Sequence, residues 1–106
     1  MDPFEVLAEP HRRALLDLLR ERERSVSELV AGLQLSQPGV SRHLRVLRDA
    51  QLVDARIAGQ RRIYSLRAAP LDAVDAWIAP YRRFWVDRLD ALEGHLNEHE
   101  SKKGGR

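Results

Sequence analysis

The stretch SQPGVSRHLRVLR, residues 36–48, decides the fold of this 106-residue chain. Its apolar residues Val40, Leu44 and Leu47 recur at the spacing i, i+4, i+7, which predicts an α-helix with one buried face. Ser36 is a favoured N-cap residue, and Pro38 then falls in the first turn, where its missing N–H is tolerated. The opposite side of this helix, called the reading helix below, is polar and basic and consists of Gln37, Ser41, Arg42, Arg45 and Arg48.

A shorter helix is predicted just before the reading helix. Ser25-Val26-Ser27-Glu28 matches a capping box, in which the serine caps a backbone N–H and the glutamate reaches back to the serine. An apolar stripe follows, made of Val26, Leu29, Val30 and Leu33. Leu33-Gln34-Leu35 is the predicted turn between the two helices, so the order of elements is helix-turn-helix. Further upstream, Pro10 opens another predicted helix.

The pattern changes from helical to extended after residue 51. Residues 52–57 and 62–66 are typical of two strands, and Ala58-Gly59-Gln60-Arg61 is a short loop with the glycine that a hairpin favours. The predicted hairpin, or wing, carries Arg56, Arg61 and Arg62. The sequence therefore predicts a mainly α fold with a small β-hairpin, the winged helix-turn-helix, in one domain over residues 1–97.

The basic charge is confined to the middle of the chain. Residues 36–67 carry seven arginines against Asp49 and Asp54, although the net charge of the whole chain is only +2. The major groove of DNA admits one α-helix, and amide and guanidinium groups pair with base edges or phosphates there. A solvated basic helix face is the alternative, but cap, turn, helix, loop and basic hairpin occur in the right order for DNA binding. The predicted contacts to double-stranded DNA are Ser36, Gln37, Pro38, Ser41, Arg42, Arg45, Arg48, Arg56, Arg61 and Arg62.

One long helical pattern runs from Leu71 to about Asn97, and Pro80 is expected to kink or split it. Four of the six aromatic residues lie in this segment at spacings of three and four. Because a domain of three short helices and a hairpin is too small to bury them all, we predict a homodimer interface. Its predicted residues are Phe4, Leu7, Trp77, Tyr81, Phe84, Trp85, Leu89 and Leu92. Residues 98–106 are expected to form a polar, disordered tail. The sequence neither supports nor excludes binding of a small hydrophobic effector under the aromatic residues.

The composition excludes several classes of function. The chain has no cysteine, which excludes disulfides, thiolate nucleophiles and thiolate zinc sites. It lacks a glycine-rich phosphate loop and its four histidines are scattered, so an enzyme is not expected. No apolar run approaches the ~20 residues that span a bilayer, and the N-terminus does not resemble a signal peptide. A cytoplasmic protein without a cofactor is therefore expected.

These segments together resemble the ArsR-type (ArsR/SmtB-like) family of bacterial repressors. The likeness lies in residues 36–48, in Leu52-Val53, in residues 59–66 of the wing, and in residues 7–13, which resemble the family's opening helix. It implies a winged-helix homodimer that sits on an inverted-repeat operator and blocks transcription until an effector releases it. It also implies that Gln37, Ser41, Arg42 and His43 contact bases or phosphates, with a structural role of His43 as the alternative.

The chain departs from the metal-sensing members of that family. Their cysteine pair is missing from the first helix of the helix-turn-helix, and residues 80–92 resemble the terminal helix of the metal-independent branch. His95 and His99 have the i, i+4 spacing that can chelate a metal, but the upstream Asp-x-His part of the zinc pattern is missing. We therefore expect no metal. A metal-responsive repressor using these two histidines, a winged-helix module for protein contacts and an activator stay open as alternatives.

Overall fold

The structure is a computed structural model that describes the backbone of residues 1–104 and the side chains of residues 1–96. The chain divides into two compact units, Met1–Val74 and Asp75–Arg106. Three antiparallel strands form one sheet in the order β1-β3-β2. The elements are α1 (Pro3–Leu7), α2 (Pro10–Glu21), β1 (Arg24–Ser25), α3 (Val26–Leu33), α4 (Gln37–Asp49), β2 (Val53–Ala58), β3 (Arg61–Leu66) and α5 (Leu71–Gly104). The predicted fold class, a mainly helical winged helix-turn-helix, is confirmed.

Local hydrogen bonds fix where α3 and α4 begin. Ser25 Oγ accepts from the backbone N–H of Glu28 at 3.3 Å, and Glu28 Oε1 accepts from the backbone N–H of Ser25 at 3.2 Å, which completes the predicted capping box. Ser36 Oγ accepts from the backbone N–H of Gly39 at 3.2 Å at the start of α4. Gln34 ends α3 in the left-handed conformation, with φ of 57°. The reading helix, α4, therefore starts where the sequence predicts.

One apolar core holds the first unit together. Val40, Leu44 and Leu47 of α4 are fully buried, as their spacing predicts. Burying a leucine side chain stabilises the fold by roughly 1.5–3 kcal/mol, so these contacts hold α4 on the domain by one face. The polar face of α4 is thereby left outside. The other fully buried residues are Val6, Leu15, Leu29, Leu52 and Val53.

The sheet differs from the predicted two-stranded hairpin by one additional strand. β1 has only two residues, and it pairs Arg24 with Tyr64 and Ser25 with Ile63 on β3. Two residues show no alternating pattern, so the sequence could not indicate this strand. The hairpin turn is Gly59-Gln60, shorter than the predicted four-residue loop, and the φ of 65° at Gly59 is a value that glycine adopts without strain.

The last helix, α5, is longer and less interrupted than predicted. Pro80 lies inside a single helix, so the expected split into two pieces is wrong. Helix-forming residues on both sides outweigh the loss of one backbone hydrogen bond. The backbone is helical to Gly104, whereas the sequence predicted a disordered tail from residue 98. Residues 98–103 contain no proline or glycine that would end the helix before Gly104. Gly105 and Arg106 lie outside the described residues. None of the helices in the described residues has the length and hydropathy needed to cross a bilayer.

Candidate DNA-binding surface

The polar face of α4 and the wing line a continuous concave surface. One groove of about 400 Å³ is bordered by Gln37, Ser41, Arg45 and Arg48 of α4 and by Arg62 of β3. A second groove of about 250 Å³ shares Gln37 and Arg62 and continues along the turn of the wing. The structure thus brings five of the sequence-predicted DNA contacts around one opening. We call this the α4–wing groove.

The three arginines of the α4–wing groove make no salt bridge with the side chains that the structure describes. Among the side chains of residues 1–96, no carboxylate lies within salt-bridge distance of Arg45, Arg48 or Arg62. Asp49, at the end of α4, is the single acidic residue in the lining described for this groove. A concave surface lined by unpaired arginines focuses positive potential, which attracts a polyanion.

Other predicted contacts on α4 lie at its start or on its outer side. Ser36 is the N-cap, and its hydroxyl is occupied by the backbone N–H of Gly39. Pro38 is in the first turn and has no backbone N–H to offer an anion, and the N–H of Gly39 is already bonded to Ser36. Arg42 is exposed on the next turn and does not border the α4–wing groove.

The other two wing arginines are held by carboxylates. Arg56 Nη2 donates to Glu23 Oε1 at 2.5 Å, and Arg61 Nη2 donates to Ser25 Oγ at 2.9 Å and to Glu28 Oε1 at 3.2 Å. All four charged side chains are at least one-third exposed, so each ion pair contributes less than about 1 kcal/mol. A phosphate can therefore compete for these arginines, but their positive charge is partly neutralised in the free protein.

Glu28 joins the wing to the capping box of α3. Its carboxylate accepts from the backbone N–H of Ser25 and from Arg22 Nη1 at 2.9 Å, in addition to Arg61. The backbone hydrogen bond from Ser25, followed by the hydrogen bond from Arg22, lowers the pKa of Glu28 from 4.5 to about 2. Glu28 is therefore ionised at neutral pH and fixes Arg61 at the base of the wing.

His43 lies on the side of α4 that faces α2. Its ring centroid is 5.8 Å from that of His11, and it is half-buried rather than part of the α4–wing groove. Burial, followed by the charge of Arg12, lowers the pKa of His43. This position suits the structural role that the sequence analysis gave as the alternative to DNA contact. His43 is therefore a poorer candidate for DNA contact than Ser41 or Arg45.

The aromatic residues of α5 form an exposed apolar row in the second unit. Trp77, Tyr81, Phe84, Trp85, Leu89 and Leu92 are between 49% and 63% exposed. The Trp77 and Tyr81 rings lie 5.0 Å apart, and the Arg88 guanidinium lies 4.6 Å above the Phe84 ring. Of the predicted interface residues in the first unit, Phe4 is 44% exposed, whereas Leu7 packs against the core.

Sequence reasoning missed several residues of these two surfaces. Glu23 and Glu28 hold wing arginines that are 33 residues away in the chain, a separation at which no local pattern exists. Tyr64 is buried yet borders the α4–wing groove, and alternation along β3 could have indicated its inward position. Val86 and Leu96 are also exposed on α5, and the i+3/i+4 spacing extends to them.

Comparisons with known proteins agree with this geometry. The family model described as bacterial regulatory protein, arsR family, matches residues 9–55. The HTH-type transcriptional regulator Rv2034 of Mycobacterium tuberculosis is 40% identical over 86 residues, which cover 81% of this chain and 78% of that protein. The transcriptional repressor SdpR of Bacillus subtilis is 29% identical over 75 residues, covering 71% of this chain and 83% of the repressor. A crystal structure of a possible transcriptional regulator for arsenical resistance superposes with a TM-score of 0.69 and 40% identity, and covers 90% of this chain and 96% of that one.

Proposed function

Because the chain belongs to the arsR family of bacterial regulatory proteins, we propose that it represses transcription as a homodimer bound to an inverted-repeat operator. Like its relatives, the chain is a DNA-binding transcription regulator and not an enzyme. The dimer, the symmetry of the operator and the residues in contact are the parts that the proposal adds. We also expect it to act in the cytoplasm, where a bacterial chromosome lies.

The α4–wing groove is the observation that supports the DNA-contacting residues. Gln37 and Ser41 have short polar side chains near the start of α4, where they can reach base edges in the major groove. Arg45 and Arg48 follow on the same face and can pair with guanine or with phosphate. Arg62 on the wing then meets the flanking backbone or minor groove. Arg42, on the outer side of α4, contributes a phosphate contact.

The exposed row on α5 supports the homodimer. Monomeric proteins rarely expose six large apolar side chains in one continuous stripe. A second copy of the same helix, related by a two-fold axis, would cover that stripe with its own. Two-fold symmetry would also place two reading helices about one DNA turn, ~34 Å, apart, as an inverted repeat requires.

The direction of regulation and its trigger complete the proposal. SdpR, which is similar over 71% of this chain, is a transcriptional repressor. A dimer bound over a promoter excludes RNA polymerase, and we propose this mode for the present chain. Sensing of metals by thiolates is excluded because the chain has no cysteine. His95 is exposed on α5, and the side chain of His99 lies outside the described residues.

Footprinting on genomic fragments, combined with sedimentation of the complex, tests this proposal. We expect two symmetric protected half-sites about one DNA turn apart and two chains on each duplex. Deleting the gene should raise transcription from the promoter that contains the protected site. A monomer that protects no fragment at low ionic strength would contradict the proposal, and lower transcription in the deletion strain would make the protein an activator.

A further inference from the structure

Three side chains with metal-binding chemistry meet where α2 begins and α4 passes it. Glu9 is the N-cap of α2, His11 is in its first turn, and His43 is in the middle of α4. One ligand atom from each of the three lies within 4.8 Å of those of the other two. We propose that Glu9, His11 and His43 bind one divalent transition-metal ion, of which Zn²⁺ is the type, and that the ion joins α2 to α4. This site goes beyond the proposed function, which needs no metal, and amends the expectation of no metal.

The geometry requires only side-chain movement to close around an ion. Ligand atoms around tetrahedral Zn²⁺ are about 3.3 Å apart when each metal–ligand bond is about 2.0–2.1 Å. His11 Nδ1 and Glu9 Oε1 are already 3.0 Å apart, and the two imidazole rings are tilted by 32° with centroids 5.8 Å apart. His11 is 52% exposed and Glu9 35% exposed, so both side chains have room to rotate toward His43.

Two imidazoles and one carboxylate are a donor set that transition metals use. Such a site supplies three protein ligands and leaves one position for water. Imidazole nitrogens favour zinc, copper, nickel and iron over magnesium or calcium. The chain has no thiol to compete for the ion, so this mixed nitrogen–oxygen site would be its best candidate among the described side chains.

Two charged groups lie at the site. The carboxylate of Glu9 is one of the three proposed ligands and attracts a cation. Arg12 opposes a cation electrostatically, but its Nε is engaged with the Val6 carbonyl oxygen at 2.8 Å.

The position of the site predicts what the ion does. His43 lies two positions from Ser41 and two from Arg45, but those side chains border the α4–wing groove and His43 does not. A bound ion would therefore fix the reading helix to α2 while leaving its DNA-contacting face open. Metal binding should raise the thermal stability of the free protein, and it can be measured without DNA.

Titration calorimetry with Zn²⁺ on the full chain, without a histidine tag, tests the site. We expect one ion per chain, and binding weakened by more than about tenfold in His11→Gln and in His43→Gln, since outer-shell changes alone cost that much. The matched control is the double variant His95→Gln/His99→Gln, which removes the other two histidines and should bind Zn²⁺ as the wild type does. Circular dichroism verifies that each variant is folded.

A second readout uses the wild-type protein and so does not depend on variants. NMR signals of the His11 and His43 imidazoles should shift on adding one equivalent of Zn²⁺, while that of His95 stays unchanged. The proposal is overturned if the wild type shows no saturable binding, if His43→Gln binds as well as the wild type, or if only the His95 signal moves. None of these results bears on DNA binding, so the proposed function is tested separately.

Discussion

Replacing Arg45 by alanine should weaken operator binding strongly without affecting the fold. Arg45 is exposed, borders the α4–wing groove, and has no carboxylate partner among the side chains of residues 1–96, so its full interaction is available to DNA. One arginine contact to a base or phosphate contributes about 1–3 kcal/mol. Because a dimer carries two copies, the loss is about 2–6 kcal/mol, which raises the dissociation constant between about thirtyfold and about twenty-thousandfold.

Fluorescence anisotropy with a labelled operator duplex, at one fixed salt concentration, measures this loss. The matched control is Arg20→Ala, which removes an exposed arginine of α2 that borders neither groove. The control should change affinity by less than about threefold, and both variants should unfold within about 0.5 kcal/mol of the wild type. Equal affinities of Arg45→Ala and Arg20→Ala would refute the assignment of α4 as the reading helix.

Three further predictions concern the dimer, acid stability and the wing. Trp85→Ala removes a half-exposed aromatic side chain from the α5 row and should weaken self-association at least about tenfold in sedimentation equilibrium; an unchanged dimer would move the interface elsewhere. The folded-state pKa of Glu28, about 2, lies below its ordinary 4.5, so its stabilisation is present above pH 4.5 and lost as the pH falls toward 2. Glu28→Gln should therefore flatten the fall in Tm over that range, and a fall as steep as in the wild type would contradict this origin. Arg62→Ala should make the slope of log K against log salt concentration shallower by about 0.9 for each phosphate contact that is lost. Arg56→Ala should change this slope by less, because Glu23 already neutralises Arg56, and equal changes in the two variants would argue against that difference.

Features set by neighbouring residues could be predicted from the sequence. The capping box of Ser25 and Glu28, the N-cap Ser36 and the glycine of the wing each depend on contacts within four residues. The buried face of α4 follows from helical spacing alone, and so does the exposed row on α5. These local signals were enough to predict the fold class and the face of α4 that borders the groove.

Features set by distant residues could not be predicted. Which wing arginines are paired depends on the order β1-β3-β2, which brings Glu23 near Arg56 although 33 residues separate them. The surroundings of His43 depend on how α2 packs beside α4, which helical spacing does not determine. The helix α5 continues through Pro80 because the proline removes one backbone hydrogen bond while the rest of the helix keeps many. The presence of a proline alone therefore does not predict where this helix ends.

The most direct test of the account is the salt dependence of binding to the footprinted duplex. Among the predicted DNA contacts of each chain, four arginines lack a carboxylate partner within the side chains of residues 1–96: Arg42, Arg45, Arg48 and Arg62. If half to all of them in a dimer contact phosphates, log K falls against log salt with a slope between about −4 and −7. A slope near zero, or no binding at low salt, would contradict the claim that this basic surface binds DNA.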